Sequence, residues 1–136
     1  MKTLLDTGPI VAFLNRNDHY HSYVVEQMGK IAPPFYTCEA VLTESFFLMG
    51  RIPNGVQRLT ELLQSEKILV DFSFWEHRSK IYQLIGKYKN IPMSLADACL
   101  VVMADEARKS SIFTLDKDFL IYRLSSGDPP GLIYPN

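Results

Sequence analysis

Apolar positions along the chain fall into short β-prone runs that alternate with longer stretches of helical spacing. Thr3-Leu4-Leu5 is too brief for a helix and is bounded by Gly8-Pro9, so residues 2–6 read as a buried strand. Ile10, Val11, Phe13 and Leu14 then mark a short helix ending near Asn15-Arg16-Asn17. A second helix, capped by Asp18, carries Tyr20, Tyr23, Val24, Met28 and Ile31 and stops at Pro33-Pro34. Phe35 to Cys38 is a second β-prone run, leading into a helix over 40–48 closed by Gly50. After the turn Ile52-Pro53-Asn54-Gly55, the stripe Val56, Leu59, Leu62 and Leu63 predicts an amphipathic helix. Ile68 to Phe72 gives a third strand, and Ser73 caps a helix with Phe74, Ile81, Leu84, Ile85 and Tyr88 on its apolar face. Ser94 caps a helix over 95–109, residues 111–116 form a fourth strand, and 118–122 a short helical piece. Leu132-Ile133-Tyr134 is a last short strand beyond a Ser/Gly/Pro-rich loop. Strands alternating with helices predict a parallel sheet covered on both faces.

Composition narrows this picture. A chain of 136 residues, 47% apolar, fits one domain spanning 1–136, large enough to bury roughly two-thirds of its unfolded surface. The net charge of −1 does not mark a nucleic-acid binder by bulk electrostatics, so any site for a polyanion must be local. Cys38 and Cys99 lack Cys-x-x-Cys spacing, which argues against a zinc or thioredoxin motif and for two buried, reduced thiols. The N-terminus enters a strand at once and carries only Lys2, unlike a signal peptide, and no apolar run spans a bilayer. The expectation is a soluble, cytoplasmic protein.

The acids carry the chemistry. Asp6 and Asp116 are each predicted at the carboxyl end of a strand, the edge where parallel α/β sheets bind ligands. Asp6 also fits a helix N-cap. Glu44 shares a helix face with Val41, Phe47 and Leu48. That face is expected to pack on the sheet, where an ionised Glu is costly unless it is paired or binds a cation. Ser94-Leu95-Ala96-Asp97 matches a capping box, and the same first turn can aim Asp97 at the sheet edge. Asp118 reads as a first-turn acid and Asp71 as an edge or turn residue. Four converging carboxylates without cysteine or histidine suit Mg²⁺ or Mn²⁺ rather than zinc, and such sites serve phosphodiester chemistry. Without metal they repel one another, and at least one titrates upward.

Asp6-Thr7-Gly8-Pro9 after the first strand, Val41-Leu42-Thr43-Glu44, Ser94-Leu95-Ala96-Asp97-Ala98, and Thr114-Leu115-Asp116-Lys117-Asp118-Phe119 together resemble the PIN-domain family. Size and layout are similar to its small prokaryotic members, the VapC-like toxins of type II toxin-antitoxin systems. The resemblance implies a three-layer α/β/α sandwich with a central parallel sheet of four to five strands, and a Mg²⁺- or Mn²⁺-dependent endoribonuclease. By position it makes Asp6, Glu44, Asp97 and Asp116 the catalytic, metal-binding acids. Asp118 becomes accessory to them, as do the small hydroxyl residues Thr7 and Thr114. It further implies an RNA substrate, a homodimer and a cognate antitoxin.

Other classes fare less well. His19, His21 and His77 lie beside no motif serine or cysteine, and there is no Gly-x-Ser-x-Gly elbow, P-loop or dinucleotide fingerprint. A receiver domain needs paired acids at the first strand, where this chain has Asp6 alone. A non-catalytic PIN-like module that binds RNA or protein is the alternative, against which the four intact acids weigh. Arg16, Arg51, Lys117 and Arg123 fall in or near loops around the expected active edge, placed either to hold RNA phosphates or as ordinary solvated charges.

Overall fold

The computed structural model describes all 136 residues. Five short strands form one parallel sheet: β1 (Lys2–Leu5), β2 (Phe35–Thr37), β3 (Ile68–Val70), β4 (Ser110–Phe113) and β5 (Leu132–Ile133), in the order β3-β2-β1-β4-β5. Six α-helices connect and flank them: α1 (Thr7–Leu14), α2 (His21–Gly29), α3 (Glu39–Met49), α4 (Gly55–Gln64), α5 (Arg78–Lys87) and α6 (Leu95–Glu106). Helices α1 to α4 pack on one another, while α5 and α6 form an antiparallel pair with α6 against β1 and β4. The result is the expected three-layer α/β/α sandwich. No helix is long and apolar enough to cross a membrane.

The centre of the sheet is apolar on both sides. Leu4, Leu5, Ile112 and Phe113 are fully buried, as strands covered by helices on both faces require. Leu4 pairs with Tyr36 on one side and Ile112 on the other, and Leu5 pairs with Phe113. The chain leaves β1 toward β2 and β3 but returns to β4 on the opposite side of β1. That reversal opens a crevice beyond the carboxyl ends of β1 and β4, where such sheets place their ligands.

Several boundaries differ from those the sequence predicts. The second helix begins at His21, and Asp18 instead accepts the Tyr20 amide at 2.9 Å in a local turn. The third strand ends at Val70, leaving Asp71 to pair with Lys2 at 2.9 Å. Ser73 caps a 3₁₀ turn at Trp75–His77, with α5 starting only at Arg78. The sixth helix ends at Glu106, three residues early. The fourth strand stops at Phe113 rather than Asp116, its last pairings being with Leu5 of β1 and Ile133 of β5. Cys38 and Cys99 are both free and buried, and they meet between α3 and α6.

Candidate active site

Asp6 sits one residue beyond β1 and is the N-cap of α1, its Oδ1 accepting the Thr7 amide at 2.8 Å. Its other oxygen, Oδ2, accepts the Thr114 hydroxyl at 2.7 Å. Thr114 Oγ1 in turn accepts the Asp116 amide at 3.0 Å, and Asp116 Oδ1 accepts the Asp118 amide at 2.9 Å. A chain of local hydrogen bonds thus ties the end of β1 to the turn after β4. Capping α1 and lining the cleft are therefore one geometry for Asp6.

Asp97 enters from the opposite layer. Ser94 Oγ accepts the Asp97 amide at 3.0 Å, which is the capping interaction expected of this tetrad. The Asp97 carboxylate is left free to face inward, and Oδ2 accepts the hydroxyl of the fully buried Tyr122 at 2.9 Å. Asp6 and Asp97 are each only 7% exposed. Glu44 and Asp116 stand exposed at the rim.

The place of Glu44 corrects the reasoning that singled it out. The buried stripe of α3 is Val41, Ser45 and Met49, not the face shared by Glu44, Phe47 and Leu48. Phe47 is 64% exposed, and Glu44 projects from the exposed side into the cleft. Ser45 is able to lie in the core because its hydroxyl bonds back to the Val41 carbonyl at 2.8 Å.

All four acids line one cleft of about 390 Å³, together with Thr7, Gly8, Pro92, Ser94 and Leu115. No lysine or arginine is among its walls. Burial pushes the Asp6 carboxyl up to about 6; the Thr114 hydroxyl and Thr7 amide oppose the rise, and the charges of Asp97 and Asp116 add to it. Glu44 is raised by burial, then by Asp97. Asp97 is raised by burial against the opposing hydrogen bonds of Tyr122 and Ser94, with Asp116 adding to the rise. The Tyr122 hydroxyl is pushed well above its ordinary range by burial and by its bond to Asp97, so it remains a donor.

A divalent cation fits this donor set. The cleft gathers oxygen ligands only, with no nitrogen or sulfur donor and no internal counter-charge, which is the chemistry that Mg²⁺ or Mn²⁺ satisfies. As they stand, the side chains do not form a ready group of three ligands for an ion. Both Asp6 oxygens and one oxygen each of Asp97 and Asp116 accept a hydrogen bond, and a carboxylate oxygen so engaged keeps a further lone pair for a cation.

Other expected residues divide. Thr7 lines the cleft, its hydroxyl 3.5 Å from Glu44 Oε2, and Thr114 acts through Asp6. Asp118 lies outside the walls, joined to them only through its amide. Arg16, Arg51, Lys117 and Arg123 do not line the cleft. Arg51 stacks over Phe47, 4.6 Å from the ring centre, and Arg123 donates to the carbonyls of Leu120, Ile121 and Tyr122. The histidines are also elsewhere: His21 meets the Ala12 carbonyl, and His77 bridges the Ser73 carbonyl and Glu106. Tyr122 is the participant that sequence reasoning missed. A buried tyrosine demands a partner for its hydroxyl, but nothing in the sequence says that the partner is Asp97.

A family model described as the PIN domain matches residues 3–124. The chain belongs to the PIN-domain family. Among solved structures this PIN-domain chain is similar to Mycobacterium tuberculosis VapC20, described as a sarcin-ricin loop cleaving toxin. The TM-score is 0.77 at 17% identity, covering 88% of this chain and 94% of that one. A search of curated proteins found no match.

Proposed function

We propose that this PIN-domain protein is a divalent-metal-dependent endoribonuclease, the toxin of a toxin-antitoxin pair. The observation that carries the reading is the convergence of Asp6, Glu44, Asp97 and Asp116, from four separate elements, on one cleft without a cationic side chain. The sarcin-ricin loop cleaving activity of VapC20, a protein of the same fold, supports RNA as the substrate class.

Asp6, Glu44, Asp97 and Asp116 would hold Mg²⁺ or Mn²⁺. The bound cation supplies neutralisation of charge on the phosphate and a water acidified enough to attack it. The protein's own contribution is positioning. Asp6 is fixed at both oxygens, by the Thr7 amide and the Thr114 hydroxyl, so its carboxylate has one orientation. Tyr122 holds one oxygen of Asp97. Glu44 and Asp116 stand exposed at the rim, Asp116 with one oxygen on the Asp118 amide. Burial of Asp6 and Asp97 takes their carboxylates largely out of water, which strengthens the charge interactions they make.

The toxin reading also supplies partners, an antitoxin and a second copy of the chain. Apolar Phe47 and Leu48 stand exposed one turn beyond Glu44, beside the rim that an inhibitory partner would have to cover. RNA cleavage by the purified protein, with and without chelator, tests the activity. Cleavage is expected only with Mg²⁺ or Mn²⁺, and to be lost in Asp6→Asn and Asp97→Asn. Undiminished cleavage by either variant would sink the assignment, and RNA binding without turnover would favour a non-catalytic module.

A further inference from the structure

A cleft walled by four carboxylates does not by itself attract a polyanion. Lysine and arginine contacts to phosphate dominate nucleic-acid affinity, yet the cleft contains neither and the chain as a whole carries a net charge of −1. The cations must therefore stand somewhere else. A second cavity, of about 340 Å³, lies between α5, α6 and residues 123–127, and it collects Lys80, Lys87 and Arg123 against one acid, Asp105. That acid accepts the Ser125 hydroxyl at 2.8 Å and its amide at 3.2 Å and faces three cations. The cavity beside β3 has the opposite character, with Glu39, Asp71 and Glu76 in its walls.

The cationic groove is built along a helix. Lys80 and Lys87 are seven residues apart and so share a face of α5 with Leu84 between them. Their Cα atoms are separated by about 10 Å along the axis, long enough for more than one phosphate. Lys80 is also 3.4 Å from Glu106 in an exposed pair, which leaves Lys87 and Arg123 as the stronger attractors. Arg123 is half-buried and held by three backbone carbonyls, a charge fixed in place without being neutralised by a carboxylate. The floor is apolar, made by Leu84, Val101, Val102 and Leu124.

This groove and the cleft lie along one helix. Helix α6 carries Asp97 in its first turn and Val101, Val102 and Asp105 farther along, so one helix walls both. Arg123 directly follows Tyr122, whose hydroxyl holds Asp97, and the Arg123 amide donates to Tyr88 at 2.9 Å. We propose that the groove between α5 and α6 is a binding site for single-stranded RNA, in which Lys80, Lys87 and Arg123 hold backbone phosphates of the strand that runs on from the cleft. The proposal rests on the reading of the chain as a ribonuclease. The cationic walls and the shared helix α6 favour RNA over an acidic peptide as occupant.

Binding of a short fluorescent single-stranded RNA to the full chain in chelator, as a function of salt, separates this site from catalysis. Lys87→Ala is expected to weaken binding and to lower the slope of log affinity against log salt by about one, and Lys80→Ala/Lys87→Ala by up to about two. Lys87→Glu is expected to weaken binding further than Lys87→Ala. Lys30→Ala, a remote surface change, should leave both quantities alone. Unchanged affinity and slope in Lys87→Glu would overturn the proposal, and so would a loss in Lys30→Ala as large as that in Lys87→Ala. A polyglutamate peptide that needs these lysines while RNA does not would also overturn it. If the groove variants bind normally while Asp97→Asn abolishes cleavage, the groove fails and the nuclease stands. If RNA binding depends on the groove but the protein cleaves nothing, the groove stands and the nuclease fails.

Discussion

Replacing Asp6 by Asn should make the metal-free protein more stable while removing its activity. Asp6 is almost fully buried, and its carboxyl is raised from an ordinary 3.8 to about 6. A raised carboxyl binds protons more tightly when folded than when unfolded, so its stabilising contribution is complete below about pH 4 and disappears as pH rises through 6. At pH 7.5 the buried charge therefore costs about 3 kcal/mol relative to the neutral form. Asn keeps the shape, accepts the Thr7 amide and carries no charge. In chelator at pH 7.5, thermal unfolding of Asp6→Asn should occur about 10 °C higher than that of the parent. The gap should shrink progressively as pH falls from about 6 to 4, and Mg²⁺ should narrow it at neutral pH by stabilising only the parent. A lower melting temperature for Asp6→Asn at pH 7.5, or a gap independent of pH, would refute the assignment of Asp6 as a strained, cation-seeking carboxylate.

Three further changes probe the supports. Thr114→Val retains the shape but removes the donor to Asp6 and the acceptor for the Asp116 amide; chemical denaturation should show a loss of about 2–3 kcal/mol at neutral pH. Tyr122→Phe deletes the hydroxyl that holds Asp97 at 2.9 Å and should cost about 1.5–3 kcal/mol by the same measurement. Its cleavage rate should fall with little change in RNA affinity. Gly55→Ala drives a Cβ into the Met49 carbonyl oxygen, a backbone atom that has no side-chain freedom to yield; a loss of about 2–3 kcal/mol is expected.

The parts of this structure that local chemistry determines could be read in advance. Leu4-Leu5 before Gly8-Pro9 located the central strand, and Ser94 with Asp97 located the start of α6, because strand length, caps and breakers act within a few residues. Asp6 and Asp97 entered the cleft as expected, since a residue at a strand's carboxyl end or in a helix's first turn has few directions to point. Glu44 reached the cleft for a different reason from the one its pattern suggested. Ser45 disguised the true core stripe of α3, and a self-satisfied hydroxyl cannot be told from a solvated one by spacing alone. The end of β4 is set by pairing with strands distant in sequence, Leu5 of β1 and Ile133 of β5, and the Tyr122 to Asp97 bond by a packing of layers that no local pattern encodes. The basic residues near motifs proved peripheral to the cleft, whereas Lys80 and Lys87 gained meaning only when α5 was laid against α6.

Titration with Mn²⁺, followed by the disappearance of the free-ion electron paramagnetic resonance signal, tests the shared cation site most directly. The parent protein should bind Mn²⁺ at pH 7.5, bind it more weakly near pH 6, where Asp6 begins to hold a proton, and release protons on binding there. Asp97→Asn should lose that binding while remaining folded by circular dichroism. Absence of binding by the parent at millimolar Mn²⁺, or equal binding by Asp97→Asn, would contradict a cation held jointly by these four carboxylates.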